Sequence, residues 1–279
     1  MGLIGDGPAL CAPPEPPSPQ QEQILQEQDE NNGQDFTRPQ GLFQVRYEYR
    51  SATRTGAVEG STHELISNIV TLRADERIDL IPDWTLALRT DLPMVVKNPI
   101  TDDNPSGNDE YSIGDVDFQS GITTSFNTRW AAGGGVRIVA PTAGDGLGTG
   151  KWRLLWGAGV RYMLPEIGPD SYFVPQVRYD VSFAGDPSRS RIKSLQFQPT
   201  LNIGIQNDWF LTLYPNADIR LNYGDPITGQ KGRLFLPVDA LIGHSVSPRT
   251  VISLEVGAPI VRDYPVYNFK TQVSLKVQF

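Results

Sequence analysis

Catalytic and metal chemistry have little to work with in this sequence. Its 279 residues hold two histidines, His63 and His244, and one cysteine, Cys11. A disulfide within the chain and a cysteine-based metal site are therefore excluded. Hydrolysis by a Ser–His pair needs both side chains within hydrogen-bond reach. Ser245 follows His244 directly, but neighbours on an extended strand point to opposite faces, and parity turns His244 outward beside a short connection. Residues 144–151 have the outline of a glycine-rich phosphate loop, yet Asp145 stands where that loop needs glycine, and a strand rather than a helix follows. Asp102, Asp103, Asn104, Asn108, Asp109 and Glu110 gather carboxylates and amides without the spacing of a helix-loop-helix calcium site. They read as a solvated acidic loop, with weak divalent-cation binding as the alternative. No catalytic residue, cofactor site or metal site emerges, and an enzyme is not expected.

What remains is charge at alternate positions. Arg46, Arg73, Arg77, Arg89, Arg137, Arg153, Arg161, Arg178, Arg220, Lys270 and Lys276 fall on the polar phase of alternating segments. So do Glu48, Asp75, Asp91, Asp115, Asp117, Asp180, Asp218, Asp239 and Glu255. If that phase lines an enclosed lumen, two outcomes are open. An arginine ladder facing carboxylates sets up a transverse field that selects small polar or anionic solutes. Alternatively, the opposite charges pair across the lumen and hold it closed, because charges left dry and unpaired are costly.

The elements that must carry these residues are strands. The clearest is the last, residues 268–279, with Phe269, Thr271, Val273, Leu275, Val277 and Phe279 on one face and Lys270, Gln272, Ser274, Lys276 and Gln278 on the other. Period two is the signature of a strand between an apolar and a polar environment. About twelve such segments follow residue 41: 42–50, 64–80, 84–96, 113–126, 130–140, 152–164, 172–183, 192–206, 209–223, 233–245, 251–262 and 268–279. Glu76 breaks the pattern of the second. Short connections after residues 80, 126, 164, 206 and 246 alternate with longer ones rich in Gly, Asp, Pro or Ser. An outer-membrane barrel has this asymmetry of tight periplasmic turns and looser outer loops; a soluble sandwich has no reason for it. Trp84, Trp130 and Trp209 open strands just after short turns, and Phe279 ends the chain, as membrane-interface aromatics should.

Composition agrees. Mean hydropathy is slightly polar, and no apolar run approaches the roughly 18 residues of a membrane helix. Barrel strands need only about ten residues, half of them facing a polar interior. Gly (27) and Pro (23) are abundant. The net charge of −8 argues against nucleic acid as a partner. Residues 1–40 read as a tail. A polyproline-type spacer at 13–19 leads into a Gln/Glu-rich stretch with too few apolar residues to bury. A disordered periplasmic linker, a lumen plug and a docking segment for a protein partner are the readings open for it. No complete signal peptide is visible near Cys11.

Several stretches resemble a known family. Residues 113–117 (Ile-Gly-Asp-Val-Asp), 198–204 (Gln-Pro-Thr-Leu-Asn-Ile-Gly), 209–215 (Trp-Phe-Leu-Thr-Leu-Tyr-Pro), 233–243 with Leu236-Pro237-Val238, and 273–279 occur in the order seen in bacterial outer-membrane porins or transporters grouped with the meta-pathway of phenol degradation. The resemblance covers about residues 43–279. It implies an outer-membrane barrel that takes up small molecules, and it supplies no catalytic residues. The terminal Phe279 resembles the signal read by the bacterial barrel-insertion machinery.

The sequence thus predicts an all-β protein: a tail over 1–40 and one antiparallel transmembrane barrel of about twelve strands over 41–279, in a Gram-negative outer membrane. Its expected partners are membrane lipid, the insertion machinery and small solutes. A largely occluded structural or docking barrel is the alternative.

Overall fold

A computed structural model describes residues 35–55, 62–101, 103–227 and 229–279. The polyproline spacer, the Gln/Glu-rich stretch and Cys11 lie outside the described residues. The strands are β1 (Leu42–Thr55), β2 (Thr62–Ile81), β3 (Trp84–Lys97), β4 (Glu110–Ile113), β5 (Asp117–Ser125), β6 (Trp130–Val139), β7 (Lys151–Met163), β8 (Tyr172–Gly185), β9 (Lys193–Gly204), β10 (Trp209–Leu213), β11 (Ile219–Asn222), β12 (Leu234–Ser247), β13 (Thr250–Arg262) and β14 (Phe269–Gln278). They form one 14-stranded antiparallel sheet in which chain neighbours pair, apart from β4 with β5 and β10 with β11, and β1 also pairs β14, from Leu42↔Gln278 to Ser51↔Phe269. The sheet is therefore closed.

Two barrel positions are each built from two strands. β4 and β5 both pair with β3, and β10 and β11 both bridge β9 and β12. The closed barrel therefore has 12 strand positions. Sequence alternation runs on through the second interruption but slips phase at the first, between Ile113 and Val116, and the structure corrects the two continuous strands that the sequence predicted. At the first, Gly114 packs so tightly that a Cβ would lie 2.9 Å from the Pro93 and Val95 side chains. At the second, Tyr214 takes a φ of 52° before Pro215, which has no N–H for the ladder.

The side chains are sorted inside out relative to a soluble protein. Phe43, Val45, Tyr47, Leu72, Ile122, Trp156, Leu254, Leu275 and their neighbours in the same phase are exposed on the outer wall. Gln44, Thr71, Asp91, Thr123, Asp180, Gln198, Asn202, Asp239, Glu255 and Lys270 are buried within. An apolar outer belt is stable only against lipid, where each backbone N–H and C=O must be bonded within the protein; closing the sheet does this. Glu76 stands in the outward phase, exposed near the tip of the β2–β3 hairpin.

Candidate functional site

The barrel encloses a cavity of 510 Å³, lined from nearly every strand position by inward residues. On the β1–β6 side the lining is an arginine network. Arg73 grips Asp91 through two bonds of 2.7 Å, and Arg46 reaches the same carboxylate at 3.0 Å. Arg89 is bidentate on Asp75 at 2.7 and 2.5 Å. Both fork pairs are direct cross-strand partners on β2 and β3, Arg73↔Asp91 and Asp75↔Arg89. Arg137 donates to Gln119 and lies 3.6 Å from Asp117. Farther round, Arg153 pairs with Asp180.

The facing wall is acidic and is thickened from inside. Between β10 and β11 the backbone at Tyr214 and Pro215 runs on the lumen side, where the inward Thr200 and Gln198 side chains donate to its carbonyls at 2.8 and 2.7 Å. Asn216 then donates to both oxygens of Glu255. Next to it, the fully buried Lys270 ammonium lies 2.5 Å from Asp218, 2.6 Å from Glu255 and 3.5 Å from Asp239. Oxygens of these three carboxylates lie within 4.8 Å of one another, as around a divalent cation, but the lysine supplies the positive charge. Tyr267 caps Asp239 with a 3.1 Å bond, and Arg220 holds Asp218 at 3.0 Å. Gly257 makes this cluster sterically feasible, because a Cβ there would overlap the Asp239 carboxylate.

One stretch of wall is bare. Gly121, Gly135 and Gly157 are consecutive cross-strand partners on β5, β6 and β7, and Gly133 pairs Gly159 one step nearer the short turns. A Cβ on Gly135 would stand 2.4 Å from the Ser120 carbonyl, and one on Gly157 2.4 Å from that of Val177. These glycines let the sheet bend sharply and leave a recess in the lumen.

At the short-turn mouth, Asp35–Gln40, which the sequence reading assigns to the tail, packs inside the barrel. Buried Asp35 accepts from Thr37 N (2.9 Å), Thr37 Oγ1 (2.7 Å), Arg38 Nε (2.9 Å) and Arg161 (3.1 Å). Phe36 lies over Gly133 and Gly159. Gln40 bonds Gln278 of the last strand at 2.8 Å.

Most charges expected in the polar phase line this cavity or the Lys270 cluster. Three are used otherwise: Arg77 pairs with the exposed Asp79 near the β2–β3 turn, Arg161 anchors Asp35, and Asp115 is a correction. Asp115 lies in the β4–β5 break, where its carboxylate accepts from Ala143 N, Thr149 N and Thr149 Oγ1, so it folds a loop instead of facing the lumen. Gln176 and Asn216, in the polar phase of their segments, also face inward, whereas Asp35 and Phe36 are inner residues that the sequence did not mark. Outside, Trp84, Trp130, Trp209 and Phe279 are all exposed at the short-turn end. Trp130 packs on Tyr162, Phe279 on Phe43, and Trp209 stacks on His244 at 4.7 Å. His244 therefore belongs to the outer aromatic set, with Nδ1 3.3 Å from the Asp208 carbonyl.

The long connections are tied to one another. Arg191 holds Asp225, and Ser188 caps Asp186. These hydrogen bonds keep both carboxyls below their ordinary range. Lys97 reaches the Gly146 carbonyl, and Arg189 pairs with Asp145.

A closed twelve-position sheet with lipid outside and charge inside is a transmembrane β-barrel of the outer-membrane type. Among solved structures, the chain is similar to an outer-membrane channel from Pseudomonas putida F1, with 16% identity and a TM-score of 0.67 over 86% of this chain and 96% of that one. It is also similar to the KdgM porin (10% identity, TM-score 0.49, 85% and 99% covered) and the NanC porin (11%, 0.49, 85% and 98%). At these identities the likeness is one of fold. No protein-family profile and no curated protein sequence matches the chain.

Proposed function

We propose that this protein is a passive channel in a bacterial outer membrane, carrying small polar or anionic solutes through a narrow charged lumen. The observation that carries the reading is the 510 Å³ cavity set between an arginine-rich wall and an acidic one. A structural plug has no need of such a space, and a transverse field acts on a solute that enters it. His244 stacks on Trp209 on the outer wall, away from the cavity. The uptake role implied by the resemblance to the phenol meta-pathway family fits the same reading, as does delivery by the insertion machinery through the C-terminal strand. Purified protein in planar bilayers tests it. Discrete conductance steps, with a reversal potential that favours anions in a KCl gradient, are expected; an absence of resolvable steps overturns the channel.

A second reading, an occluded docking barrel, is favoured by the packing of Asp35–Gln40 within the mouth. Deleting residues 1–38 separates the two. The channel continues to conduct, whereas a docking barrel loses its partner complex and gains no current.

A further inference from the structure

We propose that Arg178 and Gln176 form a binding subsite for small carboxylates on the lumen wall; this rests on the channel reading and names the solute class. The inward face of β8 runs Val174, Gln176, Arg178, Asp180. Every other arginine lining the cavity has an acceptor given above or, for Arg50, in Glu48 at 2.7 Å. Arg178 is different: among the described residues it makes no hydrogen bond and no ion pair, and its Nε is enclosed without a partner. Gln176, two residues along on the same face, also has no hydrogen-bond partner among the described residues.

The nearby carboxylates do not fill this need. Asp180 is taken by Arg153 and Gln196, and Asp218 by Lys270 and Arg220. The neighbouring amides are also committed, Gln196 to Asp180 and Gln198 to Thr200 and the Pro215 carbonyl.

The space beside these two side chains is formed by the backbone. Gly157 faces Arg178 across the ladder and Gly159 faces Gln176. A Cβ on either glycine would come 2.6 Å from the Cγ of its partner, so both stems lie flat on bare backbone. Beyond Gly157 come Gly135 and Gly121, also without side chains, and Phe36 closes the recess toward the short-turn mouth. A recess with a side-chain amide and a guanidinium on one edge, the guanidinium paired with no carboxylate among the described residues, calls for an anionic acceptor from outside. The planar fork of arginine matches the two oxygens of a carboxylate, and the Gln176 amide can bond one of them again. The glycine floor leaves room for the solute's organic body.

Two measurements on the full chain test this, with acetate as probe and inorganic phosphate and chloride as comparisons. Ligand-observed NMR on detergent-solubilised protein reads binding whether or not the barrel conducts. Bilayer current reads the channel. Acetate is expected to bind and to reduce chloride current. Arg178→Gln should weaken acetate binding about tenfold to a hundredfold, the worth of one charge-assisted contact. Gln176→Leu should weaken it a few-fold. Arg178→Lys, which keeps the charge and loses the fork, should fall between wild type and Arg178→Gln; it also serves if Arg178→Gln does not fold, as judged by heat-modifiable gel mobility. Acetate binding unchanged in either Arg178 variant overturns the subsite, and so does phosphate binding as tightly as acetate. Binding without any current would instead remove the channel reading and leave the subsite standing.

Discussion

The Lys270 cluster gives the sharpest energetic test of the inner wall. Replacing Lys270 by Met keeps the length of the side chain and removes the ammonium that lies between three carboxylates. Their oxygens lie within 4.8 Å of one another, and at that distance two unit charges in an effective dielectric of about 20 repel by roughly 3.5 kcal/mol. Three such pairs cannot all persist, so water, side-chain movement or a counter-ion must relieve them. Removing one partner of a buried ion pair costs about 3–5 kcal/mol after such relaxation. For a chain of this size that corresponds to roughly 6–20 °C in melting temperature. The readout is loss of the fast-migrating folded band on unboiled gels as temperature rises, with circular dichroism in detergent alongside. Lys270→Met should melt lower by that margin, and millimolar calcium should recover much of it, because a divalent cation can take the position left by the ammonium. Wild-type protein should ignore calcium, since its Nζ already stands 2.5 Å from Asp218 and 2.6 Å from Glu255. A variant that melts with the wild type and gains nothing from calcium would refute the argument that one lysine holds these carboxylates together.

Other parts of the structure make separate claims. Asp35→Asn removes the charge from a carboxylate that accepts four hydrogen bonds, two of them from arginines. Docking of Asp35–Gln40 should weaken by about 1.5–3 kcal/mol, and single-channel conductance should rise as Phe36 leaves its seat on Gly133 and Gly159; equal conductance in the two proteins counts against it. Gly135→Leu drives a Cβ to 2.4 Å from the Ser120 carbonyl and 2.8 Å from the Gly121 Cα, backbone that cannot yield cheaply. It should cost about 1–3 kcal/mol or more by overpacking, read as a lower urea midpoint for refolding into liposomes. Asp225 and Asp186 sit below their ordinary carboxyl range through hydrogen bonds from Arg191 and Ser188. A depressed carboxyl stabilises its contacts above the unfolded value and loses that contribution as pH falls through the folded one. Hydrogen exchange at 186–192 and 223–227 should therefore stay level from pH 7 to 5, after correction for intrinsic rate, and increase only below the ordinary 3.8. A rise already at pH 5 would contradict the sign.

Which of these features a reader of the sequence could reach depends on how far apart in the chain the partners lie. Alternation fixed the face of nearly every side chain, because in a barrel one face meets lipid and the other does not. The two-residue connection Pro82-Asp83 also fixes the β2–β3 register to within a bulge. From that register the pairs Arg73–Asp91 and Asp75–Arg89 could have been written down without a structure. Pro215 alone was not a warning, because Pro93, Pro175, Pro199, Pro237 and Pro259 all sit inside continuous strands of the same sheet. At Gly114-Asp115-Val116 the outward phase slips from odd to even positions between Ile113 and Phe118, and there Asp115 turns aside to hold residues 143–149.

The cluster around Lys270 belongs to a different case. Its three acceptors come from β12, β13 and the turn into β11, and they meet the lysine only after the sheet has closed. Closure sets which rows of inward side chains stand at one height, and no local pattern encodes that. The same holds for Asp35, whose partner Arg161 lies 126 residues away. It holds most clearly for Arg178. On the sequence it is one arginine of eleven cations in the polar phase. Only when the neighbouring carboxylates are seen to have partners, and the facing position proves to be glycine, does it stand out among the described residues as a lumen arginine with no hydrogen bond or ion pair.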